Sequence, residues 1–307
     1  MDAPSRRRPP APPKPPQTLS LTSRGQDIAL SVWSRGRGAS TVVFLPGTLA
    51  SPLLYADFLQ ELWYMGLNVV GVHPVGHGLS ARPAVFTLDD LVGNALDAAA
   101  WARETLGGPV IASGHSQGGI VALAHALRDA TLAAAMPVTT LIPTHQRAVE
   151  VTRLARLAPH REALLRGLGA LARRFPTLPV VAPLYLPLAR AFAGAQRARF
   201  YPGEVRKSYP LAFVHSLFTA PQVNADGGRR LTCPLTVFAA CNDALFPPAL
   251  LRDMLAAVDA PQKRLVLLSG GGHLAPLCPR PAAELARRMA QQCAALGLPL
   301  HCCGLPA

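Results

Sequence analysis

The sequence predicts an α/β fold, in which a mostly parallel sheet carries helices on both faces and receives one inserted helical segment. Short β-rich runs alternate with longer helical patterns along most of the chain. Several of these runs are apolar throughout, as expected of strands that are buried on both faces. The alternation stops between residues 143 and 225, where prolines break up arginine-studded helical patterns. Such an order favours parallel strands joined by right-handed crossovers, with the insertion after the sixth or seventh strand.

The first half of the chain contains six predicted strands and three predicted helices. Alternating residues at 18–23 and 27–33 predict a hairpin around Gly25. Four apolar runs predict buried strands, and they span residues 41–47, 68–74, 109–115 and 133–142. Helical periodicity falls between them, at residues 54–65, 87–106 and 117–128. Thr87, with Asp90 three residues later, resembles a capping box that starts the second helix.

Strand–helix alternation resumes after the inserted segment. Predicted strands and helices then occupy residues 233–241, 248–258, 263–269 and 281–295 in alternation. We therefore expect a core made of residues 18–142 and 226–300. The insert, residues 143–225, is predicted to be a helical lid. Residues 1–17 and 301–307 are predicted to be tails, the first of them disordered and rich in proline and arginine.

The sequence shows no export signal and no membrane-spanning segment. The proline-rich amino-terminal segment lacks the apolar stretch of a secretory signal. The most membrane-like window, residues 178–194, contains three prolines and Arg190, which argues against a spanning helix. The six cysteines lie in the last 75 residues without CxxC spacing, so we expect neither a zinc site nor another cofactor. A cytoplasmic location with reduced thiols is the resulting expectation.

Most of the net charge of +13 lies in and beside the insert. Residues 139–225 carry eleven arginines and Lys207 against three glutamates, a net charge of +9. Such a surface attracts anionic lipid, phosphates or acidic substrates, so peripheral contact with an anionic lipid surface is one interpretation. Solvated arginines on amphipathic helices are the other. Aromatic residues make up only 6% of the chain, which argues against a nucleic-acid partner.

The strongest local signal for chemistry is the string from Gly114 to Gly118, which has the pattern G-x-S-x-G with Ser116 at its centre. A predicted buried strand precedes it and a predicted helix follows it, so the serine occupies a sharp strand-to-helix turn. Glycines on either side allow the strand and helix to approach closely. This turn would expose the hydroxyl above the sheet edge, at the positive end of the helix dipole. The pattern predicts Ser116 as a nucleophile.

A nucleophilic serine needs a base, and the base needs a partner that fixes its tautomer. Asp243 follows the predicted strand at 233–241, and His273 follows the next strand in a loop of three glycines. Both therefore lie at carboxyl ends of strands, and their chain order of serine, aspartate and histidine suits this architecture. Asp253 and Asp259 fall in or after a helix and are poorer candidates. We predict that His273 is the base and that Asp243 orients it.

Acyl transfer also requires donors that stabilise the developing oxyanion. The amide of Gln117, directly after the serine, is one candidate. The turn that follows the strand at 41–46 supplies the other, and Thr48 is the expected donor there. Both predicted contacts are made by backbone N–H groups.

Taken together, these strings resemble the α/β-hydrolases, and more narrowly the monoacylglycerol-lipase-like serine hydrolases with a helical lid. The resemblance covers about residues 40–145 and 230–280. The matching strings are Leu45–Gly47, Tyr55–Gly66, Gly76–Ser80, Gly114–Gly119 and the segments around Asp243 and His273. It implies a serine that is acylated by an ester and released by water without a cofactor. It also implies an oxyanion hole formed after the first matched strand.

Two positions depart from the family pattern. Pro46-Gly47 stands where the family usually has His-Gly, and His73 stands where it usually has an aspartate. Neither is one of the three predicted catalytic positions. We interpret His73 as structural, with an accessory catalytic role as the alternative.

The function predicted from the sequence is hydrolysis of a carboxylic ester of a small acyl or lipid-like substrate through an acyl-enzyme intermediate. An acyl thioesterase would use the same three residues, so the sequence does not separate thioesters from oxygen esters. In another class, the chain could be a catalytically silent ligand-binding protein on the same fold. The presence of all three predicted catalytic residues favours an enzyme.

Overall fold

A large mixed sheet lies at the centre of the computed structural model, which describes residues 15–143, 145–195, 198, 206–219 and 230–301. The strands within these ranges are β1 (Gln17–Ser23), β2 (Gln26–Trp33), β3 (Thr41–Leu45), β4 (Asn68–His73), β5 (Val110–His115), β6 (Ala134–Val138), β7 (Pro179–Val180), β8 (Tyr209–Pro210), β9 (Leu235–Ala240) and β10 (Lys263–Leu268). The α-helices there are α1 (Ala56–Tyr64), α2 (Leu88–Leu106), α3 (Gln117–Ala126), α4 (Arg161–Arg174), α5 (Leu188–Phe192), α6 (Leu211–Thr219), α7 (Pro248–Ala256) and α8 (Pro279–Ala295).

The central sheet has eight strands in the order β1-β2-β4-β3-β5-β6-β9-β10. β1 pairs with β2, and β2 with β4, in antiparallel orientation, and the remaining neighbours are parallel. All residues of β3, β4, β5 and β9 are buried, which explains why these runs are apolar rather than alternating. The predicted α/β architecture with a mostly parallel sheet is confirmed.

Apolar layers cover both faces of the sheet. Successive residues of β3 point to opposite sides, so Val43 packs in one apolar cluster and Phe44 in the other. The first cluster includes buried residues of α2, α3 and α7, and the second includes buried residues of α1 and α8. Helices therefore cover both faces, as the alternating sequence pattern predicts.

The start of α2 shows how local sequence sets an element boundary. Thr87 and Asp90 form the predicted capping box, in which Asp90 Oδ2 accepts hydrogen bonds from the amide and hydroxyl of Thr87, at 2.8 and 2.9 Å. At the other end Gly107 adopts φ 69°, a left-handed conformation that costs glycine little. Local sequence therefore sets both ends of α2, with Thr87 and Asp90 at its start and Gly107 at its end.

Strand β6 is shorter than the apolar run that predicts it. The run extends to residue 142, but the strand ends at Val138 because Thr139 has φ 45° and turns the chain away from the sheet. The amide of Thr139 still donates to the carbonyl of Phe238 on β9, at 2.6 Å. Leu141 and Ile142 are buried beyond the end of the strand, so they belong to the apolar core without being part of the sheet.

The insert lies between β6 and β9 and contains α4, α5, α6, the small β7–β8 pair and several 3₁₀ turns. Two of these turns, Gln146–Val151 and Ala155–His160, stand where helical patterns are broken. Pro159 lies inside the second turn, where its missing amide prevents an α-helical hydrogen bond. The lid function of the insert stays a prediction.

Some predicted segments fall wholly or partly outside the described residues. They are the proline-rich stretch up to residue 14, the end of the insert at 220–225 with the first core residues 226–229, and residues 302–307. β1 begins at Gln17, the last residue of the segment predicted as an amino-terminal tail. Among the helices that the structure describes, none combines the length and apolar character required to cross a bilayer.

Candidate active site

Ser116 occupies a sharp turn between β5, which ends at His115, and α3, which begins at Gln117. Its backbone φ is 55°, a conformation that is rare for residues other than glycine. A Cβ on Gly114 would collide with the backbone of Gly118, and a Cβ on Gly118 would collide with the carbonyl of Leu45. The two glycines of the G-x-S-x-G string are therefore required for close packing of this turn, as the sequence predicts.

The structure brings Ser116, His273 and Asp243 together in one hydrogen-bonded chain. The Nε2 atom of His273 lies 2.9 Å from the Oγ atom of Ser116. The Nδ1 atom of His273 lies 3.1 Å from the Oδ2 atom of Asp243. All three residues are buried, with 8%, 3% and 3% of their surface exposed for Ser116, His273 and Asp243. They come from three strand-end loops that are far apart in the sequence.

The loops that carry Asp243 and His273 are fixed to each other and to the chain around them. The Oδ1 atom of Asp243 accepts the amides of Leu245 and Phe246, at 2.9 and 2.8 Å, which leaves Oδ2 directed at the imidazole. Asn242 accepts the amide of Gly272 at 3.0 Å, so the residues beside the pair are also bonded. The ring of Phe246 packs edge-on against His273, with centroids 4.8 Å apart.

The two aspartates judged poorer candidates lie elsewhere. Asp253 is paired with Arg147, and Asp259 with Arg230 at 3.5 Å, and both carboxylates are exposed. Their ion pairs lie at the surface rather than in the strand-end loops. Asp243 is thus the aspartate that contacts His273.

His115 and Tyr55 form a second buried layer beneath these residues. Burial lowers the pKa of His115 to about 3, so its imidazole is neutral. Its Nε2 atom donates to the carbonyl of His273 at 2.7 Å, which makes Nδ1 an acceptor for the hydroxyl of Tyr55 at 2.9 Å. That hydroxyl in turn accepts the amide of Gly47 at 3.1 Å. Each polar atom in the chain is satisfied, and the turn after β3 is thereby linked to the backbone of His273.

The two predicted oxyanion donors both lie close to Ser116 in the fold. Thr48 sits in a tight turn, closed by a 3.1 Å hydrogen bond from the amide of Ala50 to the carbonyl of Gly47. Gln117 is the first residue of α3, where amides have no partner within the helix. Neither amide donates a hydrogen bond to another described residue. Both N–H groups are therefore free for a ligand, at the positive end of a helix in the case of Gln117.

Tyr209 is a buried residue of the insert that sequence reasoning assigns no role. Its hydroxyl lies 2.6 Å from the amide nitrogen of Leu49 and 3.0 Å from the Nε2 atom of Gln117. It therefore contacts Leu49, which follows the predicted donor Thr48, and Gln117, which is the other predicted donor. These contacts join positions 160 and 92 residues apart, and no local pattern in the sequence signals them.

His73, which stands where the family usually has an aspartate, is a buried structural residue. Its Nε2 atom lies 2.9 Å from the hydroxyl of Ser31, and its Nδ1 atom accepts the amide of Leu79 at 3.2 Å. Burial lowers its pKa to about 4, which keeps the ring neutral and makes Nε2 the donor. Both nitrogens are used to join β2 to the loop at residues 76–80, which leaves no free group for catalysis.

A cavity of about 290 Å³ opens above Ser116. Gly47, Thr48, His115 and His273 line it on the core side, together with apolar residues. The insert provides the opposite wall through Ala182, Pro183, Leu186, Leu188, Ala191 and Phe192. No aspartate, glutamate, lysine or arginine is among the described residues that line it. Its chemistry suits an apolar group next to a reactive hydroxyl.

Metal ligands are not grouped in the described part of the chain. There, no cluster of three or more histidine, cysteine, aspartate or glutamate side chains is arranged to hold a metal ion. The described cysteines, which are Cys233, Cys241, Cys278 and Cys293, are all free thiols. Cys302 and Cys303 lie outside the described residues.

The model of the hydrolase family described as serine aminopeptidase, S33, matches residues 37–276. No curated protein sequence matches the chain.

Several solved structures share the fold over nearly their whole length. A monoglyceride lipase from Saccharomyces cerevisiae superposes with a TM-score of 0.70 at 14% identity, covering 96% of this chain and 99% of that one. A monoacylglycerol lipase from Paleococcus ferrophilus gives 0.66 at 15% identity, covering 88% and 99%. A thermophilic esterase from Thermogutta terrifontis gives 0.60 at 21% identity, covering 91% and 99%.

Proposed function

The chain belongs to the hydrolase family described as serine aminopeptidase, S33, with the α/β-hydrolase fold, and on that premise we propose that it is a serine hydrolase of carboxylic esters. Ser116 is the nucleophile, His273 the general base and acid, and Asp243 the residue that orients His273. The observation that carries this proposal is the hydrogen-bonded chain from Ser116 through His273 to Asp243 at the floor of an apolar cavity.

In the first half of the reaction Ser116 is acylated. His273 Nε2 removes the proton from the Ser116 hydroxyl as Oγ attacks the ester carbonyl. The carbonyl oxygen becomes an oxyanion that accepts hydrogen bonds from the amides of Thr48 and Gln117. As the tetrahedral intermediate collapses, the bond to the alcohol breaks and His273 gives its proton to the departing oxygen. The products of this half are the free alcohol and an acyl ester on Ser116.

Water reverses these roles in the second half. His273 takes a proton from water, and the resulting hydroxide attacks the acyl carbonyl within the same pair of donors. Collapse releases the carboxylic acid and returns the proton to Ser116. Asp243 holds the Nδ1 proton of His273 and stabilises the imidazolium that forms twice in each cycle.

The cavity favours an ester over the peptide suggested by the family description. An aminopeptidase must bind the positively charged amino terminus of its substrate, and buried charges require a partner. The described lining of this cavity contains no carboxylate side chain. The fold neighbours that are monoglyceride lipases and an esterase support the same choice.

The cavity volume suits an acyl group of modest size. A group the size of a water molecule occupies about 30 Å³, so a cavity of about 290 Å³ holds about ten such groups. After the carbonyl and part of the alcohol are placed, we expect room for an acyl chain of about six to eight carbons.

The outer surface of the insert supports the proposal of a lipid-facing lid. Eight large apolar side chains between residues 157 and 192 are exposed, and they are Leu157, Leu171, Phe175, Leu178, Val181, Leu184, Leu188 and Phe192. Leu188 and Phe192 also line the cavity, so exposed apolar side chains of the insert extend to the wall above Ser116. Arginines accompany these residues in the same segment, and together they form an amphipathic surface suited to an anionic lipid interface.

A labelling and substrate experiment tests the proposed function. A fluorophosphonate probe should label the wild-type protein and leave Ser116→Ala unlabelled. A panel of nitrophenyl esters and acyl thioesters with two to sixteen carbons should show turnover of oxygen esters with an optimum near eight carbons. Thioesters as the preferred substrates would instead identify a thioesterase with the same catalytic residues. Equal labelling of both proteins would exclude Ser116 as the nucleophile, and an unlabelled, inactive wild type would identify a silent binding protein.

A further inference from the structure

Tyr209, at the point where the insert returns to the core, contacts both sides of the predicted oxyanion hole. We propose that Tyr209 is a positioning residue, whose hydroxyl holds the turn of Thr48 and the start of α3 in the geometry that binds the oxyanion. The role rests on the proposed function, because the two amides stabilise an oxyanion only if Ser116 attacks a carbonyl. It goes further by giving a residue of the insert a role in the rate of the reaction.

The hydroxyl of Tyr209 makes three hydrogen bonds within a fully buried site. Its partners are the amide of Leu49 at 2.6 Å, the Nε2 atom of Gln117 at 3.0 Å and the Nε2 atom of His77 at 2.7 Å. Only 1% of Tyr209 is exposed. A hydroxyl has one proton and two lone pairs, so three bonds use its full capacity.

The direction of each bond follows from the state of His77. Burial lowers the pKa of His77 to about 4, which keeps its imidazole neutral. The Nδ1 atom of His77 lies 3.0 Å from the carbonyl of Val75 and must carry the ring proton in order to donate to it. Its Nε2 atom is then an acceptor, so Tyr209 donates its proton there. The two lone pairs of Tyr209 accept the amide of Leu49 and the side-chain amide of Gln117.

The turn that contains Thr48 requires outside support because of Leu49. This residue has φ 63°, whereas the third position of such a turn normally holds glycine at positive φ. Non-glycine residues persist in this region only where the surroundings fix them. Here the return of the insert binds Leu49 twice, since its amide donates to Tyr209 and its carbonyl accepts the amide of Arg206 at 2.6 Å. Both backbone groups of the residue after Thr48 are thus held by the insert.

The second contact fixes the other donor. Gln117 is 3% exposed, and its side-chain oxygen has no hydrogen-bond partner among the described residues. The bond from its side-chain nitrogen to Tyr209 therefore anchors the carboxamide. The backbone amide of the same residue is the predicted donor beside Ser116. One phenol oxygen thus ties the Thr48 turn to the first residue of α3.

This arrangement makes a specific kinetic prediction. Small displacements of groups that act in the transition state lower turnover strongly, while they affect ground-state binding little. Loss of the Tyr209 hydroxyl should free the Leu49 amide and the Gln117 side chain together. Tyr209 itself does not line the apolar cavity that holds the acyl group, so substrate binding should change much less than turnover.

The test compares Tyr209→Phe with Tyr185→Phe, using the full chain and an eight-carbon nitrophenyl ester. Tyr185 is also a buried tyrosine of the insert, and it lines a separate cavity between α4 and α6. We expect kcat of Tyr209→Phe to fall by about ten- to a hundredfold with KM changed less than about threefold. The affinity for an aryl boronic acid, which forms a tetrahedral adduct with serine, should fall by a similar factor. Tyr185→Phe should retain wild-type kcat and boronate affinity.

A second variant keeps the test independent of folding. Gln117→Met removes one of the three bonds and leaves the Leu49 and His77 contacts, so its kcat should fall by less than that of Tyr209→Phe. If Tyr209→Phe does not fold, a Gln117→Met variant with lowered kcat, lowered boronate affinity and unchanged KM supports the role. The role of Tyr209 would be overturned by wild-type kcat in folded Tyr209→Phe, or by equal losses of kcat and boronate affinity in Tyr185→Phe. Either result would leave the proposed function intact. A wild type that is neither labelled by fluorophosphonate nor active would overturn both.

Discussion

The imidazole of His115 donates a hydrogen bond to the backbone carbonyl of His273, at 2.7 Å. The residue directly before the proposed nucleophile therefore holds the backbone of the proposed base. Because burial keeps His115 neutral, this bond persists across the physiological pH range. Tyr55 then fixes the opposite nitrogen of His115, and Gly47 donates to Tyr55. Three of the segments that form the site are thus linked through the hydrogen bonds of His115 and Tyr55.

Replacing Tyr55 by phenylalanine tests that layer. The variant removes the donor to His115 and the acceptor for Gly47, which leaves two buried polar atoms without partners. We expect the free energy of unfolding to fall by about 1–3 kcal/mol and kcat to fall by about tenfold. Tyr64→Phe is the matched control, because Tyr64 is 40% exposed and its hydroxyl is bonded to the side chain of Gln60 rather than to a residue of the site. Urea unfolding and ester kinetics measure both effects, and two variants with the same stability and kcat would contradict the structural role.

Replacing Asp243 by asparagine tests the orientation of His273. The amide group preserves the shape but places a neutral group beside Nδ1, which disfavours the tautomer that can accept a proton from Ser116. We expect kcat to fall by about a thousandfold or more, with the fold retained. Asp253→Asn, which alters a surface ion pair with Arg147, should keep wild-type turnover. Full activity in Asp243→Asn would show that another acid serves His273.

Buried histidines predict loss of stability in mild acid. His73, His77 and His115 have pKa values lowered by burial to about 4, 4 and 3, while each titrates near 6.5 in the unfolded chain. The unfolded state therefore binds more protons below pH 6.5, so the free energy of unfolding falls as the pH falls toward 4. Each histidine contributes a slope of up to about 1.4 kcal/mol per pH unit in that window.

Urea unfolding at half-unit steps from pH 8 to pH 4.5 measures this slope. A His73→Asn variant should unfold with a smaller dependence on pH, by about one proton. His160→Asn should keep the wild-type dependence, because His160 is exposed. A stability that is constant between pH 6.5 and pH 4.5 would show that the buried histidines do not control it.

The amphipathic outer surface of the insert predicts binding to anionic vesicles. Each basic side chain close to such a bilayer contributes about 1 kcal/mol, and the attraction weakens as salt rises because the Debye length is about 10 Å at 0.1 M. Cosedimentation with vesicles of phosphatidylserine and phosphatidylcholine should exceed that with phosphatidylcholine alone at low salt. The excess should diminish at high salt.

Two exposed leucines provide a matched pair for this experiment. Leu184 in the insert is 63% exposed, and Leu79, in a loop of the core, is 59% exposed. Leu184→Ser should reduce vesicle binding because it removes apolar area from the proposed lipid-facing surface. Leu79→Ser should leave binding unchanged. Equal and weak binding to both vesicle types would identify the arginines of the insert as solvated surface charges.

Residues whose role depends on their immediate neighbours were predictable from the sequence. Ser116 lies in a glycine-flanked turn between an apolar run and a helical pattern, and Asp243 and His273 each follow an apolar run. In a parallel sheet such positions share one edge, so the pattern predicts their proximity without any knowledge of the packing. The buried strands and the capped start of α2 follow from local sequence in the same way.

Tertiary structure alone decided the features that depend on distant contacts. Thr139 ends β6 through its positive φ, although a threonine at that position is compatible with a continuing strand. Tyr209 reaches Leu49 and Gln117 from a segment whose sequence suggests only a helical cover. A hydroxyl acquires three partners here because three separate loops converge on it, and hydrogen-bond geometry between loops has no periodic signature in the chain. The sequence thus predicted which groups carry the proposed chemistry, whereas the packing of distant segments, within the core and between the insert and the core, decided which contacts hold them in place.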